Sequence, residues 1–137
     1  MKNKLTFVLL IALLTLNSCA RKIYVDYQAD ARNTSKIVLK PSSPTPQTFV
    51  AINDKLIVDK KYVKSVTINN VPLGNHQIHY TSNNSWYKEE LDAHIPLNVE
   101  NNKEITKIVV VPPMSNGYYA YLTALIIISW LPVLTLK

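Results

Sequence analysis

Among 137 residues there are two glycines, one cysteine and two phenylalanines, and only 18% of positions are charged. So few glycines leave no glycine-rich loop to cradle a phosphate and no collagen-like repeat. A single cysteine excludes an internal disulfide framework and a multi-cysteine zinc site. Acidic residues are also scarce, nine against 15 basic ones, for a formal charge of +6. The length accommodates no more than one ordinary domain. What is plentiful is apolar: 47% of the chain, concentrated in uncharged blocks at 7–16 and 118–136 around a middle of modest hydrophobicity. That distribution predicts membrane-directed ends on a soluble centre.

Lys2 and Lys4 precede the apolar run 5–16, the charged start and short hydrophobic region of a secretory signal. Twelve residues fall short of the roughly 20 that a spanning helix needs, so cleavage is favoured over a retained signal anchor. The run closes on Leu16-Asn17-Ser18-Cys19, which resembles the lipobox of bacterial lipoproteins. The resemblance implies a signal peptide over 1–18, cleavage between Ser18 and Cys19, and acylation of the Cys19 thiol, which removes it from redox or metal chemistry. With several buried acyl chains at about 0.8 kcal/mol per methylene, such an anchor is effectively permanent. Loss of Lys2 and Lys4 leaves 13 basic and nine acidic residues. The excess lies close to the lipid: Arg21, Lys22, Arg32, Lys36 and Lys40 oppose Asp26 and Asp30. Residues 19–35 thus read as a basic stalk drawn to anionic headgroups, at about 1 kcal/mol per basic side chain. Nucleic acid is not expected as a partner, because no basic stripe interleaves with stacking aromatics.

Between the ends, short β-branched and aromatic runs alternate with Pro, Asn, Asp and Ser, and no helical period persists for three turns. Strands are predicted near 37–40, 48–53, 55–59, 63–69, 76–81, 87–92, 95–99 and 103–111, arranged as a small antiparallel β-sandwich. A spacing of two places Val66 with Ile68, Ile78 with Tyr80, Ile95 with Leu97 and Val99, and Val109 with Val111 on the core face. Turns are predicted at Asn53-Asp54, at Val71-Pro72-Leu73-Gly74-Asn75, where Gly74 can take a positive φ, at Ser82-Asn83-Asn84-Ser85, and at Asn101-Asn102.

Ser43-Pro44, Val50-Ala51-Ile52-Asn53-Asp54-Lys55, Asn70-Val71-Pro72-Leu73-Gly74-Asn75-His76-Gln77-Ile78 and Trp86-Tyr87-Lys88 together resemble the PEGA domain, a small sandwich related to prealbumin-like modules. The resemblance covers about 36–111 and implies an extracytoplasmic binding or spacer module. The sequence departs from that pattern at Pro46-Gln47-Thr48-Phe49, where the namesake segment would stand, and at Asp54 and Ser85, where glycines are usual.

After a hinge at 112–117, the block 118–136 is nineteen residues without a charge, roughly 28 Å as a helix. Tyr118, Tyr119 and Tyr121 gather at one end, with Trp130 near the other and Lys137 beyond, as interfacial aromatics would. A transmembrane helix is the favoured reading. The competing one has 122–131 packed on the sandwich, with Pro132 ending the element.

Candidate chemistry is sparse. His76 and His79 point to opposite faces of a strand and cannot share a metal without a bulge. Glu90 and Asp92 read as solvent-face partners, and Ser115 shows no nucleophile-elbow pattern. Trp86, Tyr87 and Lys88 form the possible recognition feature, able to bind a sugar ring or peptide edge, or else to pack over the rim of the domain. The expectation is therefore a non-enzymatic envelope lipoprotein facing the periplasm, without cofactor or metal. It contacts membrane lipid through Cys19 and 118–136, and binds an envelope protein or peptidoglycan. The alternative is a periplasmic hydrolase or ligand carrier with a site among the loops, drawing on His79, Glu89, Glu90 or His94.

Overall fold

The computed structural model describes residues 19–28, 34–100 and 103–134, the side chains of 129–134 excepted. The signal peptide expected at 1–18, the turn at Asn101-Asn102, the anchoring role of Trp130 and the terminal Lys137 lie outside the described residues.

Seven strands precede one helix: β1 (Arg21–Asp26), β2 (Thr34–Pro41), β3 (Thr45–Ile52), β4 (Lys55–Pro72), β5 (Gly74–Ser82), β6 (Leu91–Val99), β7 (Glu104–Val109) and α1 (Asn116–Leu134). All seven strands belong to one sheet, ordered β6-β5-β3-β4-β2-β7, with β1 added beside β4. The expected antiparallel sandwich is thus corrected to a single mixed sheet, since β1 runs parallel to β4 and β7 parallel to β2.

The sheet encloses one core because β4 is shared. Its first part pairs with β3, and its second lies between β1 and β2. The free ends of the order, β6 and β7, meet across a shallow groove of about 290 Å³ lined in part by Leu97, Asn98, Ile105 and Lys107, so the sheet nearly closes on itself.

Two strands expected at 55–59 and 63–69 are one, and the reason is a bulge. Thr48 faces Lys61 while Val50 faces Val58, so β4 carries an extra residue, with Lys60 at φ 47°. Another extra residue on β4 falls near Asn70 at φ 55°, and β3 has its own at Pro46-Gln47, with Gln47 at φ 43°. Bulges bend a strand and sharpen its twist without ending it. They also accept a proline that an unbroken ladder would exclude. In a chain short of glycine, Gln, Lys and Asn take these left-handed positions, the last at the smallest steric cost.

Two further expectations shift. Part of the segment read as a stalk is strand β1, docked on β4 from Arg21 opposite Val63 to Asp26 opposite Asn69. The strand expected at 87–92 begins only at Leu91, and Tyr87 makes an isolated bridge to Met114.

The core is aliphatic. Ile37, Leu39, Val50, Ile52, Val63, Val66, Ile68, Val71, Ile78 and Tyr80 are fully buried, with Leu97, Val99 and Val109 nearly so. Each buried branched aliphatic contributes about 1.5–3 kcal/mol. Ile95 and Val111, expected beside them, are only half-buried at the margin.

Candidate functional site: one pole of the sheet

The strand directions bring several chain ends to a common pole. β1 starts with Arg21 opposite Val63, and Val63 also faces Thr45, the start of β3. β2 and β7 finish there together, Pro41 beside Val109. Ser82, at the end of β5, faces Thr48 on one side and Leu91, the start of β6, on the other. Cys19, two residues before β1 and exposed, the loop 83–90 and the root of α1 consequently lie at one end. The Asn53-Asp54 hairpin and Gly74 lie at the other.

Beneath this pole sits a buried polar knot. The hydroxyls of Thr45 and Tyr80 are 2.6 Å apart, and Thr48 Oγ1 reaches both Thr45 O at 2.8 Å and Thr45 Oγ1 at 2.7 Å. Ser82 Oγ donates to Pro46 O, the carbonyl of the β3 bulge. Burial holds the Tyr80 phenol above its ordinary pKa, despite the hydrogen bonds from the two threonines. Tyr87 is buried beside it. Its hydroxyl completes no hydrogen bond among the described residues, and desolvation raises its pKa, although Ser82 and Asn84 temper the shift.

The loop 83–90 fastens the helix root to the sheet. Lys88 N donates to Pro113 O at 3.0 Å and Ser115 N to Trp86 O at 2.7 Å. Ser115 then caps α1: its Oγ lies 3.4 Å from Tyr118 N, and its carbonyl accepts from Tyr118 N at 3.1 Å. The residue read as a hinge is a helix cap. Trp86 stacks on Tyr121 with centroids 5.5 Å apart and meets Tyr118 edge-on at 5.9 Å, while Tyr118 meets Tyr119 at 5.8 Å. Tyr87, as a core residue, takes the packing role of the two expected for it. Trp86 and Lys88 stay exposed, but Trp86 is committed to the helix root.

Past this aromatic collar, Leu122, Leu125, Ile126, Ile127 and Ile128 are 37–59% exposed. This corrects the reading in which 122–131 completes the core. Among the described residues no helix is long and apolar enough to cross a membrane. The transmembrane helix expected over 118–136 is corrected accordingly: among the described residues α1 is a helix with an exposed apolar surface and not a membrane span. Apolar exposure extends to the end of β7 and just beyond it, where Ile108 and Val110 are 71% and 77% accessible. Around them stand the exposed bases Arg21, Lys22, Lys40, Lys61, Lys64 and Lys88, with Glu89 and Glu90 in the loop. At the far pole charges are paired, Lys36 with Glu104 at 2.7 Å and Lys103 with Glu100.

The histidines separate as strand alternation requires. His76 Nε2 donates to Pro72 O at 2.8 Å and its Nδ1 accepts from Asn53 Nδ2 at 2.9 Å. His79 projects from the outer face, where the β5–β6 register sets it opposite His94. The two rings stack at 4.2 Å, and His79 Nε2 lies 2.6 Å from Asp92 Oδ1. Sequence spacing misses this cluster, because an eight-residue loop leaves the register of its flanking strands open. No protein-family model matches this chain, and no curated protein matches it in sequence.

Proposed function

We propose that this chain is an envelope lipoprotein whose β domain rests on the membrane by the pole that carries Cys19, and that it serves as a non-catalytic binding or assembly module. The observation that carries the reading is topological: the candidate acylation site and the root of the exposed apolar helix emerge from the same end of one sheet. Two attachments on opposite ends could not both reach one bilayer surface without unfolding a strand. The surroundings agree, since the tyrosine–tryptophan collar is the composition favoured at a headgroup boundary. The exposed bases suit an anionic surface, and Ile108 and Val110 gain by leaving water. In this reading α1 inserts its apolar turns as a second lipid contact. The far pole, with its hairpin and the edges of β6 and β7, is left free for an envelope protein or peptidoglycan in the periplasm. The lipobox and PEGA-like resemblances point the same way on the residues that carry them.

The test is fractionation of wild type, Cys19→Ala, a chain truncated after Gly117, and the combined variant, together with the intact mass of the mature protein. We expect a mature chain beginning at Cys19 with acyl mass added. Each single variant stays membrane-bound but becomes extractable by alkali, and the combined variant is released. A mature N-terminus elsewhere, or a combined variant still held in the membrane, overturns the reading.

A further inference from the structure

On the outer face of the β5–β6 pair, beside the pole that carries Cys19, we propose a divalent transition-metal site formed by His79, Asp92 and His94. One ligand atom from each residue lies within 4.8 Å of the other two. The two imidazole Nε2 atoms converge on a single carboxylate oxygen, Asp92 Oδ1, at 2.6 Å from His79 and 3.5 Å from His94. Ligand atoms held at about 2.0–2.1 Å from a tetrahedral zinc are themselves roughly 3.3 Å apart. The set therefore needs small side-chain rotations and no backbone movement: the short His79 contact opens slightly and the His94 contact closes.

The backbone makes the set rigid. His79 and His94 are directly opposed, and Asp92, facing Thr81, is the next outward residue on β6. Directly opposed pairs on one face of a sheet are close enough to act on a common atom. The packing of Ile78, Tyr80 and Leu91 beneath them fixes both strands. Chemistry argues for a metal over a simple ion pair. Stacking the rings at 4.2 Å and 12° between planes brings like charges together if both are protonated. A bound cation instead takes one lone pair from each neutral ring and one from the carboxylate. Two imidazoles and one carboxylate suit zinc, copper, nickel or cobalt rather than magnesium or calcium. The three side chains are 44–57% exposed, leaving the remaining coordination positions open to water or to a donor from a bound partner. The site does not depend on lipid attachment.

The experiment uses the full chain in detergent micelles, without an affinity tag, titrated with Zn²⁺ by calorimetry and with Cu²⁺ by electron paramagnetic resonance. The expected result is one saturable Zn²⁺ per chain and a Cu²⁺ spectrum with two imidazole nitrogens. His79→Ala and His94→Ala each weaken Zn²⁺ binding by more than about tenfold, the least that loss of even an outer partner costs. Asp92→Asn weakens it too, whereas His76→Ala leaves it unchanged. Wild-type protein without saturable binding overturns the proposal, as does His79→Ala binding as tightly as wild type. A readout that needs no variant is Zn²⁺ protection from an acylating histidine reagent: His79 and His94 should be shielded and His76 should not. Equal modification of all three with and without Zn²⁺ overturns the site.

Discussion

Tyr80 and Tyr87 are neighbours of one residue type whose hydroxyls meet opposite fates. Tyr80 OH is held by Thr45, whereas Tyr87 OH is enclosed without a completed hydrogen bond among the described residues. A made buried hydrogen bond contributes about 0.5–1.5 kcal/mol net, and an unmade one leaves a desolvation penalty. Tyr80→Phe should therefore lower unfolding free energy by about 1 kcal/mol, while Tyr87→Phe should be neutral or stabilising; urea melts of the two variants decide it. Both phenols have raised pKa values because burial disfavours the phenolate. The folded state thus holds its protons where the unfolded chain gives them up. This contribution is complete below the ordinary tyrosine pKa of about 10 and is lost as pH rises through the folded values. Melts between neutral and strongly alkaline pH should show wild type losing stability above about pH 10, with a shallower decline in the double phenylalanine variant.

The β3–β4 hairpin shows at the element scale how local chemistry sets register. Asn53 and Asp54 take φ of 47° and 67°, the pair of positive values a two-residue type I′ turn demands, and Asn is favoured in its first position. Asn53 does more than turn the chain. Its Oδ1 accepts from Gln77 N at 2.9 Å and its Nδ2 reaches His76 Nδ1 at 2.9 Å, tying the hairpin to β5. Asn53→Ala should cost about 1–2 kcal/mol through the lost bonds and the strained φ, whereas Asp54→Gly should be tolerated; thermal melts of both check this. The hairpin was legible in the sequence because its turn residues are adjacent. The continuity of β4 was not, because Lys60 gives no sign that its positive φ will form a bulge.

For the whole molecule, the directions of the strands are what gather Cys19, the aromatic collar and the basic side chains at one pole. If that pole faces lipid, Trp86 lies at headgroup depth. With Trp130→Phe isolating its signal, Trp86 fluorescence should be quenched in vesicles by lipids brominated near the headgroup more than by those brominated near the chain ends. Cys19→Ala should keep that ranking while reducing its extent. Equal or absent quenching would place the pole away from the bilayer. The sandwich expected from alternation captured which residues are buried, because Val66, Ile68, Ile78, Tyr80, Leu97, Val99 and Val109 need only a period of two to be assigned a face. It missed the two parallel pairings, since a strand's pattern of buried and exposed residues does not encode its neighbour's direction.

By itself the sequence determined the β class, the core face of most strands and the turns at Asn53-Asp54 and Gly74. Each depends on residues close together in the chain, where period and φ preference act. Only the tertiary structure decided that Arg21–Asp26 joins the sheet and that Trp86 stacks on Tyr121. The same holds for His94 meeting His79 and for Cys19 and α1 sharing a pole. These depend on register and strand direction, which arise when distant segments settle around one buried core and are written in no local pattern.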